Sequence, residues 1–497
     1  MTCILNYFNQ IILKGMCTKM DLKLFINGEF VDSEKKVEVL NPVNGKRLGS
    51  VPCITKEQTS EAIEAAHIAF EKWSKTTLQE RSKLLRKASD IIKENSEYLA
   101  GILTQEHGKP LCDARKEIAG SADVLDYYSK VVMDLGGEIP CPSANNSKSF
   151  VFGDPIGVVA AIAAWNYPVS LIAWKIAPAL AAGCTVLVKP PKYTPLALTE
   201  FIRLCSSAGF PTGALNVVFG SHAEVGDELF TNPIVKKVAF TGSTETGKKI
   251  AESTAASLKK LNLELGGHSP FVVFDDANFE KAIKDGVKRS FRNMGQICNA
   301  VNRIYVQEAT YDKYVARFVE DTKKMTIGDG YANPDIDLGP MVDKSGIETA
   351  EDQIKDAVSK GATVKCGGKR PDAPELQQGN FFEPTVLVDV TSNMKIMHEE
   401  TFGPVVAIDK FKTIEEAIEK ANSTVYGLVS YVYTKNLDTA FKLCSEIDSG
   451  SIAVNSINPD TLYAPYGGRK ESGYGVELSR HAMEQYLQYK HVKIDFE

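Results

Sequence analysis

The stretch "GVVAAIAAWNYPVSLIAWKIAPALAAGCTVLVKP", residues 157–190, determines the fold class of this chain. Its first nine residues, 157–165, form a short apolar run that predicts a buried strand. Residues 170–183 have a helical pattern with Gly183 as the C-terminal stop, and residues 185–190 form a second apolar strand. A strand, a helix and a strand in succession predict two parallel strands joined by a helical crossover.

The same alternation continues beyond this stretch. Residues 156–265 contain five predicted strands and four predicted helices, and further strand–helix units run from 269 to about 450. We therefore expect an α/β fold whose parallel sheets are covered by helices on both faces. Residues 136–155 carry turn residues and an extended tail, which predict a hairpin-like arm. Sheets of this kind bind ligands at the carboxyl ends of their strands.

The composition is that of a globular protein with more than one lobe. The chain has 497 residues, 43% of them apolar and 24% charged, and this length is too great for a single core. Its 57 basic and 63 acidic residues are well mixed, which argues against nucleic acid as a partner. The most apolar region, 156–188, is interrupted by Asn166, Pro168 and Lys175, so we expect a buried core and no membrane span.

Ten cysteines are scattered along the chain without a CxxC motif. This spacing indicates neither a metal site nor a disulfide framework, and it favours a reducing compartment, the cytoplasm. Residues 1–19 are mildly apolar but lack a basic segment before the apolar part and a clear cleavage site. A weak targeting segment is one interpretation; we take them as a disordered extension ahead of a second possible start at Met20.

Polar residues follow four of the predicted strands. Asn166 is a neutral donor that could face a developing oxyanion, and Lys189 could reach a ribose or a phosphate. Gly242 and Ser243 lie between a strand and a helix, where free N–H groups suit a phosphate. A buried carboxylate at Glu264 should have a raised pKa and could act as a general base. Each also has a plain structural reading: a turn residue, a surface lysine, a helix cap or an ion-paired glutamate.

Cys298, in "GQICNA", likewise has a functional and a structural interpretation. One of ten cysteines is most often an inert buried thiol, and only a thiolate would be reactive. Together, however, a thiol, a carboxylate, an amide donor and a phosphate-binding turn suit the oxidation of a carbonyl through a covalent thio-adduct.

These residues carry a resemblance to a known family. The sequence resembles the NAD(P)-dependent aldehyde dehydrogenases from about residue 22 to its end, with the family's motifs in the family's order. The stretches that carry the resemblance are "WNYP", "KPPKYTP", "FTGSTETG", "LELGG", "GQIC", "EETFGPV" and "PYGGRKESGYG". The resemblance implies two Rossmann-related open parallel-sheet domains and a β bridging arm.

The resemblance implies a role for each matching residue. Cys298 resembles the nucleophile, Glu264 the base that activates the deacylating water, and Asn166, with the N–H of Cys298, the oxyanion hole. Lys189 is counted with both the catalytic and the cofactor-binding residues. The residues expected to bind NAD or NADP are Trp165, Lys189, Lys192, Gly242, Ser243, Gly247, Leu265, Glu400 and Phe402.

The resemblance also implies how the chain is divided. Residues 20–137 and 158–268 would form the cofactor-binding domain and residues 269–465 the catalytic domain. Residues 138–157 and 466–497 would form a bridging element that joins subunits into a dimer or tetramer, because an edge strand would otherwise be exposed.

The sequence departs from the family pattern at two places. Lys192 stands where many NAD-preferring members have a glutamate for the adenosine ribose, so NADP is expected to be tolerated or preferred; the alternative is a lysine directed into solvent. Arg292 matches one of two arginines that hold the carboxylate of succinate semialdehyde, but Trp174 occupies the position of the other. With Tyr167 and Tyr463, Trp174 suggests an aromatic-walled entrance for uncharged or aromatic aldehydes.

Other functions remain open from sequence alone. The substrate could be succinate semialdehyde or a small hydroxyaldehyde of the lactaldehyde type, and Arg292 could instead serve a structural ion pair. A cysteine hydrolase would pair Cys298 with a histidine, His268 being the nearest to a motif. A catalytically silent relative is disfavoured, because all the expected catalytic residues are present.

Overall fold

The computed structural model describes residues 20–141 and 144–496. The expected extension, residues 1–19, lies outside the described residues. The described helices α1–α14 are, in order, Lys56–Trp73, Leu78–Glu94, Ser96–His107, Leu111–Val131, Pro168–Ala182, Leu196–Ser206, Asp227–Thr231, Thr244–Ala255, Phe279–Phe291, Tyr311–Lys323, Lys344–Ser359, Ile414–Asn422, Leu437–Glu446 and Ser479–Glu484. The described strands β1–β22 are Met20–Asp21, Leu24–Ile26, Glu29–Val31, Lys36–Leu40, Arg47–Pro52, Ser147–Pro155, Val158–Ile162, Thr185–Lys189, Leu215–Val217, Val235–Thr241, Lys260–Glu264, Ser269–Val273, Val301–Gln307, Thr363–Cys366, Thr385–Val388, Val405–Phe411, Tyr426–Gly427, Val429–Tyr433, Ser451–Val454, Arg469–Lys470, Gly473–Tyr474 and Leu487–Asp495.

The first large sheet has the strand order β21-β11-β10-β7-β8-β9. Five adjacent strands of this sheet pair in parallel, as their apolar runs predict, in the order β11, β10, β7, β8 and β9. Helices connect them. The short β21 pairs antiparallel with β11 and was not predicted. Strand β7 ends at Ile162, three residues before the predicted end, so Trp165 and Asn166 lie in the loop that follows.

Helix α5 connects β7 to β8 and forms the centre of this half of the core. It is apolar on almost every face and nearly all of its residues are buried, as expected for a helix enclosed by other elements. It ends at Gly183, which has φ +97° and closes the helix in the left-handed conformation. The buried guanidinium of Arg81 donates to the carbonyls of Ala181 and Ala182 at 3.3 and 2.8 Å, so these terminal acceptors are satisfied.

The second large sheet has the order β14-β15-β16-β13-β12-β18-β19. All of its pairs are parallel except β14 with β15, which are antiparallel. This matches the strand–helix units expected after residue 269. The fold is therefore α/β with two parallel sheets, as predicted.

A separate two-stranded ribbon joins distant parts of the chain. Strand β6 pairs antiparallel with β22 over its whole length, from Leu487 opposite Pro155 to Asp495 opposite Ser147. An isolated antiparallel bridge between Glu138 and Val151 continues the arm on its other side. The arm is thus extended as predicted. Among the described residues, no helix is both long and apolar enough to cross a membrane.

The end of α5 yields a prediction about stability. A Cβ on Gly183 would lie 2.6 Å from the Arg81 guanidinium, in a left-handed conformation. We expect Gly183→Ala to lower the free energy of unfolding by about 2–4 kcal/mol, from backbone strain and overpacking. Gly361→Ala is the matched control, because Gly361 has φ +103° but open space around it, and it should cost about 1 kcal/mol. Urea unfolding followed by circular dichroism measures both; equal losses would contradict the steric argument.

Candidate active site

One cavity of about 830 Å³ opens at the carboxyl edge of the first sheet. The segments that follow β7, β10 and β11 line it, and the segment after α9 contributes Cys298. The predicted site residues that line this cavity are Trp165, Asn166, Tyr167, Trp174, Gly242, Ser243, Glu264, Leu265, Arg292, Cys298, Glu400 and Phe402. Lys189, Lys192, Gly247 and Tyr463 are not among the lining residues.

Cys298 is half-buried at the end of a tight turn. Asn293 and Met294 have positive φ angles of 55° and 58°, so the chain reverses sharply after α9 and returns the thiol to the sheet edge. Burial raises the pKa of the Cys298 thiol to about 12, and the nearby carboxylates of Glu400 and Glu264 act in the same direction. This thiol therefore needs local stabilisation of its ionised form to react at neutral pH.

Glu264 ends β11 as a buried carboxyl group. Neither of its carboxylate oxygens has a hydrogen-bond partner among the described residues, so the alternative of an ion-paired strand end is not realised. Burial, followed by the nearby carboxylate of Glu477, raises the pKa of Glu264 well above its usual range. Such a group keeps its proton to a higher pH than an exposed glutamate and, once ionised, can take up a proton as a general base.

A buried ion pair lies next to Glu264. Lys175 Nζ contacts the carboxylate of Glu477 and donates to Thr241 Oγ1 at 2.6 Å, with the lysine and glutamate side chains enclosed. Sequence reasoning missed this pair, because the two residues are 302 positions apart. The only signal was a charged residue inside an apolar helix.

Asn166 is held by a second buried network. Its Nδ2 donates to the Gln296 carbonyl at 3.0 Å, while its Oδ1 has no partner among the described residues. Lys109 Nζ donates at 2.6 Å both to the Asn166 carbonyl and to Glu117. The other oxygen of Glu117 accepts from the Val169 N–H at 3.0 Å, at the start of α5. The loop that carries Asn166 is therefore fixed on both sides.

The opposite side of the cavity is suited to a dinucleotide. Ser243 caps α8 and its Oγ accepts from the Thr246 N–H at 3.3 Å, so the predicted capping role is realised. A Cβ on Gly242 would lie 2.3 Å from the Phe240 ring, which leaves only a glycine at this turn. The positive end of the α8 dipole therefore points along a narrow backbone turn, an arrangement that fits a pyrophosphate.

Other expected cofactor residues surround this turn. Gly247 lies in the first turn of α8 and donates to the Ser243 carbonyl at 3.0 Å. Glu400 accepts from the Gly267 N–H at 3.0 Å, and burial raises its pKa to about 7. Phe402 packs edge-on against Trp165, with ring centroids 5.4 Å apart. These groups form a wall that a planar ring could contact.

Two lysines near this wall lie in different environments. Lys189 ends β8, and burial lowers the pKa of its ammonium group. Lys192 is exposed, with its Nζ 5.6 Å from the centroid of the Tyr193 ring. A half-buried lysine and an exposed lysine thus lie at the end of β8.

The aromatic wall differs in part from the prediction. Tyr463 is 80% exposed and packs against Tyr127 outside the cavity lining. Trp174 does line the cavity, and its partner is Tyr466, with ring centroids 5.7 Å apart. Residue spacing alone had not identified Tyr466, although it lies within the quoted motif "PYGG".

Two arginines from the end of α9 also line the cavity. Arg292 Nε lies 3.6 Å from Asp113 Oδ2 and has no hydrogen-bond partner among the described residues. The Arg292 guanidinium is 5.8 Å from the centroid of the Tyr167 ring. Arg289, which sequence reasoning missed, is buried and contacts Asn299 and Tyr431.

The geometry does not support a cysteine–histidine pair. His268 stacks on Tyr426 at 6.4 Å and is not among the cavity-lining residues. Burial lowers the pKa of its imidazole well below the usual range. Among the described residues, the side chain that pairs with Cys298 Sγ in a hydrogen bond is Tyr466, at 4.0 Å.

Comparisons with known proteins identify the family. Residues 30–492 match the aldehyde dehydrogenase family. An NADP-dependent succinate-semialdehyde dehydrogenase of Escherichia coli is 40% identical, over 94% of this chain and 97% of that protein. A 3-sulfolactaldehyde dehydrogenase of Pseudomonas putida is 39% identical, over 94% and 96%.

A solved structure has the same fold. The betaine aldehyde dehydrogenase of Staphylococcus aureus in complex with NAD+ superimposes with a TM-score of 0.93 at 37% identity, over 96% of this chain and 95% of that one. With the family match over nearly the whole sequence, this likeness shows that the chain belongs to the aldehyde dehydrogenase family and oxidises aldehydes with NAD or NADP.

Proposed function

We propose that Cys298 is the nucleophile, Glu264 the general base, and Asn166 with the Cys298 N–H the oxyanion hole of this aldehyde dehydrogenase. One observation carries the proposal: a single cavity is lined by all three side chains at the edge of the first sheet. A rigid amide beside the thiol suits an oxyanion, since donors fixed in advance stabilise developing charge most strongly.

In the first half of the reaction, the Cys298 thiolate attacks the aldehyde carbon and forms a thiohemiacetal. Asn166 Nδ2 and the Cys298 N–H donate to the resulting alkoxide oxygen. Bound NAD(P)+, held by the residues named below, would supply the hydride acceptor for that carbon. Cys298 then carries the acyl group as a thioester. Hydrolysis of this thioester is easier than oxidation of a free aldehyde hydrate.

In the second half, Glu264 takes a proton from a water molecule that attacks the thioester carbon. The carboxylic acid leaves and the Cys298 thiolate is restored. The raised pKa of Glu264, caused by burial and then by Glu477, supports this role, because a general base works best with a pKa near the working pH.

The cofactor would lie along the sheet edge beside α8. Ser243 and Gly242 would contact its pyrophosphate, Glu400 and Lys189 its ribose hydroxyls, and Phe402 its nicotinamide side. Trp165, Gly247 and Leu265 would complete the surface. We infer that the exposed ammonium of Lys192 pairs with a 2′-phosphate, so that NADP is accepted.

We propose a substrate with an anionic group at the end remote from the aldehyde. Arg292 supports this class, because it lines the cavity and, among the described residues, its guanidinium has one ion pair, with 3.6 Å between Nε and Asp113 Oδ2. The relatives that act on succinate semialdehyde and 3-sulfolactaldehyde oxidise aldehydes of this kind. Trp174, which weighed against the class, packs on Tyr466, and the Arg292 side chain is 28% exposed. An uncharged aldehyde is the second candidate, favoured if Asp113 neutralises Arg292.

We further propose that residues 20–137 and 158–268 hold the cofactor and residues 269–465 the substrate in a cytoplasmic enzyme. The arm formed by 138–157 and 466–497 would join subunits as a dimer or tetramer. Exposed apolar side chains on β22 and just beyond it, Tyr489, Ile494 and Phe496, support an interface there.

The role of Glu264 is tested by Glu264→Gln. We expect the variant to release about one equivalent of reduced cofactor per site and then stall, because the amide cannot take the proton from water. Cys298→Ala should give no such burst. In the native enzyme, activity should rise with pH, since a carboxyl group with a raised pKa is protonated, and inactive as a base, below that pKa. Rapid-mixing absorbance measures the burst, and Glu320→Gln, an exposed change, is the control; sustained turnover in Glu264→Gln would contradict the role.

The role of Lys192 is tested by Lys192→Glu. A glutamate would repel a 2′-phosphate and accept from ribose hydroxyls, so the ratio of kcat/KM for NADP to that for NAD should fall roughly 10- to 100-fold. Steady-state kinetics with both cofactors measures the ratio. Lys236→Glu makes the same charge change at another exposed lysine and should leave the ratio unaltered. A strong native preference for NAD would refute the assignment.

The role of Arg292 is tested with two aldehydes of equal carbon number, succinate semialdehyde and butanal. We expect Arg292→Gln to reduce kcat/KM for succinate semialdehyde roughly 10- to 100-fold, because a charge-assisted pair with its carboxylate is lost. Butanal should be almost unaffected and serves as the internal control. Equal losses for both aldehydes would assign Arg292 a structural role with Asp113.

A further inference from the structure

A continuous chain of polar side chains ends at the sulfur of Cys298. The Arg289 guanidinium contacts Asn299 Oδ1, and Asn299 Nδ2 donates to the Tyr466 hydroxyl at 3.0 Å. The Tyr466 hydroxyl lies 4.0 Å from Cys298 Sγ, at the outer limit of a hydrogen bond to sulfur. Arg289, Asn299 and Tyr466 are all buried and line the cavity.

The direction of each hydrogen bond in this chain is determined by chemistry. Arginine has donors only, so the side-chain atom of Asn299 that faces Arg289 must be its oxygen. The amide NH₂ of Asn299 is thereby directed at Tyr466, whose oxygen accepts from it. The Tyr466 proton is then free to point at Cys298 Sγ. A thiolate can only accept, so Tyr466 is the donor whenever Cys298 is ionised.

Arg289 is held rigidly at the far end of this chain. Its Nε donates to the Tyr431 hydroxyl at 2.7 Å and to the Asn299 carbonyl at 3.2 Å, and Tyr431 donates to the same carbonyl at 3.0 Å. Burial opposes the charge of Arg289, but Tyr431 and Asp460 keep its pKa above the usual range. Arg289 therefore remains a cation and polarises the amide that it contacts.

The groups around the sulfur act in opposite directions. Glu264, at the end of β11, and Glu400, in the loop before β16, are carboxyl groups that disfavour a thiolate, as burial does. Arg289, on α9, and Tyr466 are the groups that favour it. Burial also holds the pKa of Tyr466 well above its usual range, so Tyr466 keeps its proton and stays a neutral donor.

We propose that Tyr466 is a further catalytic residue, which donates its hydroxyl proton in a hydrogen bond to the Cys298 thiolate, with Asn299 and Arg289 as positioning residues that polarise it. This inference rests on the proposed role of Cys298 as nucleophile. No proton passes along the chain: the thiol proton leaves for solvent, and Tyr466 stabilises the charge that remains. The contact shortens as the sulfur becomes negative, since hydrogen bonds to ionised groups are the stronger ones.

The test measures the thiol directly and does not depend on turnover. The full-length protein is treated with iodoacetamide between pH 6 and 10, without and with NADP+, and modification of the Cys298 peptide is followed by mass spectrometry. We expect Tyr466→Phe to slow alkylation about tenfold at every pH in this range, as a rise of about one unit in the thiol pKa would, because a hydrogen bond to an ionised group is lost. Tyr314→Phe is the matched control, since it removes a buried hydroxyl that bonds the Ala282 carbonyl elsewhere, and it should leave the titration unchanged.

A second variant changes the direction of a hydrogen bond without changing the size of the side chain. Asn299→Asp preserves the contact with Arg289, but the introduced carboxylate accepts from Tyr466 and diverts its proton from the sulfur. It should slow alkylation as Tyr466→Phe does, whereas Arg289→Lys, which keeps the cation, should restore most of the rate lost in Arg289→Gln. Thermal unfolding of each variant confirms that it is folded.

The outcomes separate this inference from the proposed function. An unchanged titration in folded Tyr466→Phe or Asn299→Asp overturns the role of Tyr466 and leaves Cys298 as nucleophile. A large rise in KM with an unchanged titration also overturns it and makes Tyr466 a substrate contact. Full dehydrogenase turnover in Cys298→Ala would instead overturn the proposed function, whatever the titration shows.

Discussion

Parallel pairing of β7, β10 and β11 is the constraint on which the site depends. In the observed register, Ile162 lies opposite Phe240, and Thr241 lies opposite Glu264, so the three strands end almost level. The residues that follow them must therefore emerge along one edge. The short β21 pairs with β11 at the same edge, and this contact brings the C-terminal segment that carries Tyr466 and Glu477 over the cavity.

Burial of charge then distinguishes the side chains at this edge. Lys109 with Glu117, and Lys175 with Glu477, are enclosed pairs whose polar atoms mostly have partners. An enclosed pair adds little net stability but is costly to break, so it fixes the segments that it joins. Glu264 has no such partner within the part of the chain that the structure describes. An unpaired buried carboxyl group beside rigid pairs is what a site of proton transfer requires, and it is unfavourable for stability alone.

The sequence predicts the parts of this structure that depend on local pattern. Apolar runs separated by helices are sufficient to predict β7, β8, β10 and β11, and a glycine after an apolar helix predicts its end at Gly183. The candidate residues Asn166, Glu264 and Cys298 follow from strand ends together with the family's motifs.

What the sequence does not predict depends on contacts between distant positions. Strand β21 has two residues, too few for any periodicity, and forms only because β11 offers an edge. Tyr466 and Asn299 are 167 residues apart, so no local pattern joins them. Tyr463 was expected in the cavity because it is aromatic and near the motif, but three residues further along the chain Tyr466 takes that place.

The end of α9 carries two arginines that have different contacts in the cavity. Arg289 lies in its last turn, and three residues later Arg292 would share the same face if the helix continued. The helix ends at Phe291, however, and Arg292 has ψ 136°, so the chain after Arg292 leaves the helical path. Arg289 contacts Asn299, in the series of hydrogen bonds that reaches the sulfur. Arg292 instead lies near Tyr167 and Asp113. One helix end can thus stabilise the nucleophile through Arg289 and recognise the remote end of the aldehyde through Arg292.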